Sequence, residues 1–331
     1  MSLSTIAPIC IFSYNRPNHL QRVLDALSKN DLASESVLYI YCDGAKPLQT
    51  ETDKAVDELT ASARRFFQGT ETEYEKYLSD IEDNIMVAQS ATGFKEVHTI
   101  IRPENIGLKE NIIGAVTEVV NKYGRIITLE DDIITSKGFL RYMNDALETY
   151  KDEEKVMHIS AYMWPHKCKL ADTFFYPVPY PGGGWATWKR AWQYYNDNTE
   201  ELYDFWKEKW NQFDILGANY LSKQLIANHN GTMNTWFVKW YAVIMQQTGL
   251  TLYPGKSLTN NIGFDNTATN CSAMTKFDVI PTDYVNVRIQ PVQKDRKASR
   301  IIFDFYQGHW YNRRRRNAFI QRVIKNIRFW K

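Results

Sequence analysis

The chain has 331 residues, enough for one large domain or two closely packed ones, and 44% hydrophobic with 24% charged residues is ordinary for a globular protein. Forty basic and 38 acidic residues leave a net charge of +2, which argues against a global nucleic-acid footprint. The four cysteines, Cys10, Cys42, Cys168 and Cys271, are far apart and form no CxxC or Cys/His cluster, which argues against structural zinc.

Ala7–Ser13, APICIFS, reads as a short buried strand. It breaks at Tyr14-Asn15-Arg16-Pro17, and Leu20, Val23, Leu24 and Leu27 then fall at helical spacing. Ser36–Cys42 is a second buried strand, stopped by Asp43-Gly44. Strand, helix and strand this close together favour parallel pairing with a right-handed crossover. Residues 45–95 are polar and acidic with helical patches such as DKAVDELTASARRFF, a helical excursion. Val97–Arg102 is the next strand, a helix follows over Lys109–Lys122, Gly124 ends it, and Arg125–Leu129 is a fourth strand. The alternation predicts an α/β open sheet.

Beyond Leu129 stand Glu130, Asp131 and Asp132, and then an amphipathic helix marked by Phe139, Leu140, Met143, Ala146, Leu147 and Tyr150. Val156–Ala161 is a further strand. After Pro165 the texture changes to loops rich in Trp, Tyr, Gly and Pro between helices. Aromatics reach 14%; sugar-binding surfaces use them, and so do large cores. The expected organisation is a nucleotide-binding half over 1–165, a mixed half over 166–290 and a basic amphipathic tail over 291–331.

In an open parallel sheet, ligands bind beyond the carboxyl ends of the strands. Arg16 would supply a cation there, and Asp43 and Glu130–Asp132 would supply carboxylates. Crowded carboxylates repel one another, and a divalent ion relieves that repulsion. Hard oxygen ligands favour Mg²⁺, Mn²⁺ or Ca²⁺ over zinc. The plainer reading is a solvated turn with a helix cap for Glu130–Asp132 and an Asp-Gly turn for Asp43. No Walker loop occurs, and no GxGxxG follows the first strand, which argues against a P-loop kinase and a dinucleotide dehydrogenase.

IAPICIFSYNRPNHLQRVLDAL, YIYCDG, ENIGLKENI and RIITLEDDIITSKGFLRYM together resemble the nucleotide-sugar half of GT-A glycosyltransferases, both N-acetylglucosaminyltransferase I-like enzymes and bacterial family 2-type relatives. The likeness continues in VMHISAYMW and PGGGWATWKRAW, fades over 195–235 and partly returns in GLTLYPGKSLTNNIGFD. It implies a GT-A fold: a mostly parallel open sheet flanked by helices, a mixed acceptor-side half and a C-terminal amphipathic helix. It implies that Asp43 holds the nucleotide base, that Arg16 lies near the diphosphate and that Glu130 and Asp131 contact the ribose or donor sugar. Asp132 would ligate Mn²⁺ or Mg²⁺, and Gly183, Gly184 and Trp185 would form a loop beside the donor sugar. Animal relatives carry an acidic W-D-D-W segment, whereas Asn234–Tyr241, NTWFVKWY, has no acid. Asp265 and Asp204 are the candidates for a general base, and Asp265 is preferred because it lies in the returning motif.

The implied activity is transfer of a sugar from a nucleotide diphosphate donor, a uridine diphosphate sugar first, to a glycan or lipid-linked glycan in bacterial surface polysaccharide assembly. Two rivals stay open: a sugar-phosphate nucleotidyltransferase, which usually begins with a Gly-rich basic loop absent here, and a non-catalytic glycan- or membrane-binding module. Residues 313–331 carry eight basic residues and no acid, with Phe319, Ile320, Val323, Ile324, Ile327 and Trp330 on one helical face. Such a helix suits an anionic membrane surface, packing on its own domain, or a partner. No signal-peptide pattern and no membrane-spanning run is seen, so a cytoplasmic location, peripheral at the inner face of the membrane, is the expectation. No nucleic-acid partner is expected.

Overall fold

The computed structural model describes residues 6–50, 66–215, 220–263 and 275–307. In chain order these hold β1 (Ile9–Ser13), α1 (Pro17–Leu27), β2 (Val37–Cys42), α2 (Glu71–Gln89), β3 (Glu96–Ile101), α3 (Gly107–Tyr123), β4 (Arg125–Glu130), β5 (Ile133–Thr135), α4 (Phe139–Thr149), β6 (Val156–Ser160), β7 (Thr173–Tyr176) and β8 (Trp185–Trp188). Four helices follow, α5 (Lys189–Trp192), α6 (Thr199–Trp206), α7 (Trp210–Phe213) and α8 (Tyr220–His229). The described chain closes with α9 (Phe237–Gln246), β9 (Leu250–Pro254), β10 (Thr259–Asn261) and α10 (Arg296–Gln307).

Local chemistry explains where the first elements start and stop. Pro17 opens α1, where a missing N–H costs nothing, and Leu20, Val23, Leu24 and Leu27 are its buried stripe. The helical excursion expected over 45–95 is realised as α2, which begins with a reciprocal capping box between Thr70 and Glu73. The patch DKAVDELTASARRFF falls largely outside the described residues. Helix α3 ends at Gly124, whose φ of 77° is the left-handed cap that glycine adopts without a Cβ clash.

One eight-stranded sheet runs in the order β3-β2-β1-β4-β8-β6-β9-β7, and β10 pairs with β5 as a separate ribbon. The β3-β2-β1-β4 block is wholly parallel, as the sequence alternation predicts. Beyond β4 the pairing is mixed: β8 is antiparallel to both β4 and β6, β9 is parallel to β6, and β7 is antiparallel to β9. The sheet therefore takes strands from both sides of residue 165, and β8 is inserted between β4 and β6.

Strand alternation sends Ile9 and Ile11 to one face and Cys10 and Phe12 to the other. The first face packs with α1 and α4, through Leu20, Leu24, Phe139 and Met143. The second packs with α3 and a block of buried indoles, Trp164, Trp185, Trp192, Trp206, Trp236 and Trp240. Most of the tryptophan content is thus core. Cys10 and Cys42 are buried thiols, and burial pushes the Cys42 thiol up to about 12. No helix among the described residues is long and apolar enough to cross a membrane. The tail over 313–331 lies outside the described residues.

Candidate active site at the carboxyl ends of β1, β2 and β4

The parallel block brings three strand ends together. Phe12 of β1 pairs with Glu130 of β4, and Ser13 of β1 pairs with Cys42 of β2. The amide of Asp131 then donates to the Phe12 carbonyl at 3.1 Å, and the amide of Asp43 to the Ser13 carbonyl at 2.9 Å. Backbone pairing alone therefore places the acidic turn, the Tyr14–Arg16 loop and Asp43 on one rim.

Asp43 is 5% exposed, and both its carboxylate oxygens are occupied. Oδ1 accepts from the amides of Gly44 (3.0 Å) and Ile106 (2.9 Å). Oδ2 accepts from the amide of Gly107 (2.9 Å) and from Asn105 Nδ2 (3.0 Å). The carboxylate sits at the start of α3, where unpaired N–H groups and the helix dipole favour an anion. Gly44 lets the Asn105 loop close over it, since a Cβ there would stand 2.5 Å from the Glu104 carbonyl carbon.

The acidic turn is built differently. Asp131 Oδ2 accepts from Ser13 Oγ at 3.2 Å and from the Tyr14 amide at 3.3 Å. Asp132 Oδ1 accepts a long bond from Asn261 Nδ2 (3.4 Å), and its Oδ2 lies 3.6 Å from Arg16 Nη1. Burial, then the charges of Asp132 and Asp131, pushes the Glu130 carboxyl up to about 8. Burial and Asp132 push Asp131 up to about 7, and burial raises Asp132 against the opposing pull of Arg16 and His19.

Gly183, Gly184 and Trp185 reach the same rim from the start of β8. Gly184 has φ +75°, and a Cβ on it would stand 2.8 Å from Leu129 Cδ2, just before the acidic turn. Thr259 Oγ1 donates to the Gly183 carbonyl at 2.6 Å, and Asn261 Nδ2 reaches the Gly182 carbonyl at 3.4 Å. Asn261 thereby ties the glycine loop to Asp132. Gly263 completes that contact, because a Cβ there would lie 2.0 Å from Asp132 Oδ2.

Trp185 departs from the expected role. Its indole is 3% exposed and stacked between His158 (5.1 Å) and Trp236 (5.2 Å), so both faces are covered by protein. Its place is beneath the glycine loop, as a support, and its faces are not offered to a sugar.

No protein-family model matches the chain. No curated protein matches it either. Among solved structures, UDP-glucose pyrophosphorylase complexed with UDP-glucose matches at 10% identity and a TM-score of 0.33, over 77% of this chain and 92% of that chain. A likeness at that level carries no argument about the activity of this one.

Among the described residues, no group of three or more His, Cys, Asp or Glu side chains is arranged to hold a metal ion. Carboxylate oxygens are the hard donors that Mg²⁺ and Mn²⁺ take, and Asp132, beside Arg16 at 3.6 Å, offers two of them at this rim. Mg²⁺ is commonly bound by one or two carboxylates with ligand phosphates and waters, so a full protein cage is not required.

Of the general-base candidates, Asp265 lies outside the described residues, and Asp204 is exposed and paired with Lys207 at 2.6 Å. The segment NTWFVKWY obtains its acid from elsewhere. Lys239, 3% exposed, bonds to Asp197 Oδ1 at 2.8 Å, and Lys109 bonds to the other oxygen at 2.7 Å. Burial raises the Asp197 carboxyl, but its two lysine hydrogen bonds outweigh this and hold it below the usual range, which suits a structural anion more than a base. Sequence reasoning missed Ser13, Asn84, Asn105 and Asn261 as parts of this rim. Asn105 and Asn261 stand in quoted motifs, ENIG and TNNIG; Ser13 and Asn84 carry no local signal.

Proposed function

We propose that the chain is a metal-dependent glycosyltransferase of GT-A type, taking its sugar from a nucleotide diphosphate donor, a uridine diphosphate sugar first. The observation that carries this reading is the acidic turn: three carboxylates of raised pKa at the end of a buried parallel strand, with Arg16 3.6 Å from Asp132. Such a cluster is costly unless a cation completes it.

Asp132 would hold Mn²⁺ or Mg²⁺, which when bound neutralises charge developing on the departing diphosphate. Arg16 would share that task by turning from Asp132 to a phosphate. Glu130 and Asp131 would accept hydrogen bonds from ribose or sugar hydroxyls. Gly183 and Gly184 would let the backbone approach the donor sugar. Asp43 would serve the base end of the cleft by fixing the Asn105–Gly107 loop. In the reaction an acceptor hydroxyl attacks the anomeric carbon, the bond from that carbon to the diphosphate oxygen breaks, and a base takes the hydroxyl proton. Asp265 is the proposed base, in an inverting transfer. The acceptor would be a glycan or lipid-linked glycan in bacterial surface polysaccharide assembly, with 313–331 resting on an anionic membrane at its cytoplasmic face.

The test is incubation with a panel of sugar nucleotides and Mn²⁺, followed by product analysis. Free nucleoside diphosphate is the expected product. Pyrophosphate would replace the reading with a nucleotidyltransferase, and no turnover of any donor with no nucleotide binding would leave a non-catalytic module.

A further inference from the structure

Helix α10 lies against the outer edge of the sheet, away from the acidic turn. Strand β7 is the last in the order, four strand spacings or about 19 Å from β4. The chain leading into α10 runs beside β7: Phe175 forms a parallel bridge with Lys294, and the Asp295 amide donates to the Phe175 carbonyl at 2.9 Å. Ala298 and Ile302, both fully buried, anchor the helix. Two cavities of about 400 and 320 Å³ open here, and Lys294 and Arg296 line both. Asp295 lines the larger one, where its Oδ1 accepts from the Ala298 amide at 2.7 Å. In the smaller one Arg296, Ser299, Arg300 and Phe303 fall at i, i+3, i+4 and i+7, one stripe of α10. Lys294, Tyr176 and Ile215 complete it, and no acid among the described residues lines it. Arg300 is paired with Asp304 at 3.0 Å, whereas no acid among the described residues pairs with Lys294 or Arg296.

We infer that the smaller cavity between β7 and α10 takes the phosphate group of an anionic membrane phospholipid. Lys294 and Arg296 hold the phosphate, and Phe303 and Ile215 meet the first carbons of the lipid chain. Charge selects the sign of the ligand: three cations without an acid favour an anion. The apolar part of the lining selects its kind, because a bare phosphate gains nothing from Phe303, which is exposed, or from Ile215. Basic side chains beside an exposed aromatic suit the interface of an anionic leaflet. In sequence the chain runs on from α10 into 313–331, with eight basic residues and no acid, so charge of the same sign follows. The inference deepens the membrane reading given above and rests on it, but its residues are separate from that tail.

The test is co-sedimentation of the full chain with vesicles of phosphatidylglycerol and phosphatidylcholine in equal parts, against phosphatidylcholine alone. The wild-type chain is expected to sediment with the anionic vesicles only. A basic residue near an anionic surface is worth about fivefold in affinity, so Lys294→Gln with Arg296→Gln should weaken binding about 25-fold. Ser299→Trp fills the cavity and leaves the charge unchanged, and it is expected to lose the preference for anionic vesicles as well. Should Ser299→Trp fail to fold, Ser299→Leu carries the same test. Loss in the double glutamine variant with full binding in the cavity-filling variant would mean diffuse charge alone and would overturn the inference, as would full binding in both. A wild-type chain with no preference for anionic vesicles would instead overturn the membrane reading on which it rests.

Discussion

Asp43 and the Glu130–Asp132 turn stand at neighbouring strand ends, and the chain treats them in opposite ways. Asp43 is finished internally, with four donors on its two oxygens, three of them backbone amides. The acidic turn is left open: Glu130 has no side-chain hydrogen bond among the described residues, Asp131 has two long ones, and Asp132 has a loose pair with Arg16. Burial costs each carboxylate alike, so the difference lies in what compensates it. A satisfied buried acid holds a fold together; the turn, less fully bonded among the described residues, is where the proposed ion would sit.

That contrast can be broken by exchange of the two kinds of loss. Asp132→Ala should lower Mn²⁺ affinity on the order of a hundredfold, read by calorimetry, while the melting temperature stays level or rises because a repelling charge is gone. Asp43→Ala should do the reverse. It strands the amides of Ile106 and Gly107 at the start of α3 and that of Gly44 after β2, and should cost about 3 kcal/mol in chemical unfolding, with Mn²⁺ affinity in the folded fraction little changed. If Asp43→Ala is thermally neutral, the satisfied half of the comparison is wrong.

The pH dependence sharpens it. Glu130 and Asp131 have folded-state pKa values raised to about 8 and about 7, above their unfolded values. Between those values the native state binds more protons than the unfolded chain, so this contribution is fully present at acid pH and is lost as pH rises through about 7 to 8. Melting of the metal-free protein should therefore fall between pH 5.5 and 8, and Mn²⁺ should raise the midpoint more at pH 8 than at pH 6. A Mn²⁺ shift independent of pH would separate the ion from these carboxylates.

The smallest effect concerns the aromatic block behind the site. Burial holds His158 neutral, down to about 3, between Trp185 and the Trp240 indole N–H that donates to its Nδ1 at 3.2 Å. A histidine depressed in the fold contributes stability above its unfolded pKa and loses it as pH falls toward the folded value. His158→Phe should flatten the acid limb of the stability profile below pH 6, and an unchanged limb would place that limb's origin elsewhere.

The parallel block was legible because strands covered on both faces read as unbroken apolar runs, and ICIF, VLYIYC and RIITL do. Strand β8 was not: WATW is short, follows PGGG and pairs antiparallel, so it reads as a glycine-rich loop. The carboxylates of the rim were visible in the sequence for the same reason as their strands. What each one does was not, because three of the four donors to Asp43 lie more than 60 positions away in Asn105–Gly107 and those to Asp131 lie in Ser13 and Tyr14. Trp185 shows the same limit. An indole beside glycines suggests a sugar platform, but His158 and Trp236 already occupy its two faces.

The most direct measurement is calorimetric titration of UDP into the wild-type chain and into Asp132→Ala, each with Mn²⁺ and with EDTA. A divalent-ion site at the acidic turn predicts binding in the wild type with Mn²⁺ alone, lost in EDTA and lost in the variant. Equal UDP affinity with and without the ion, or full Mn²⁺-dependent binding in Asp132→Ala, would contradict it.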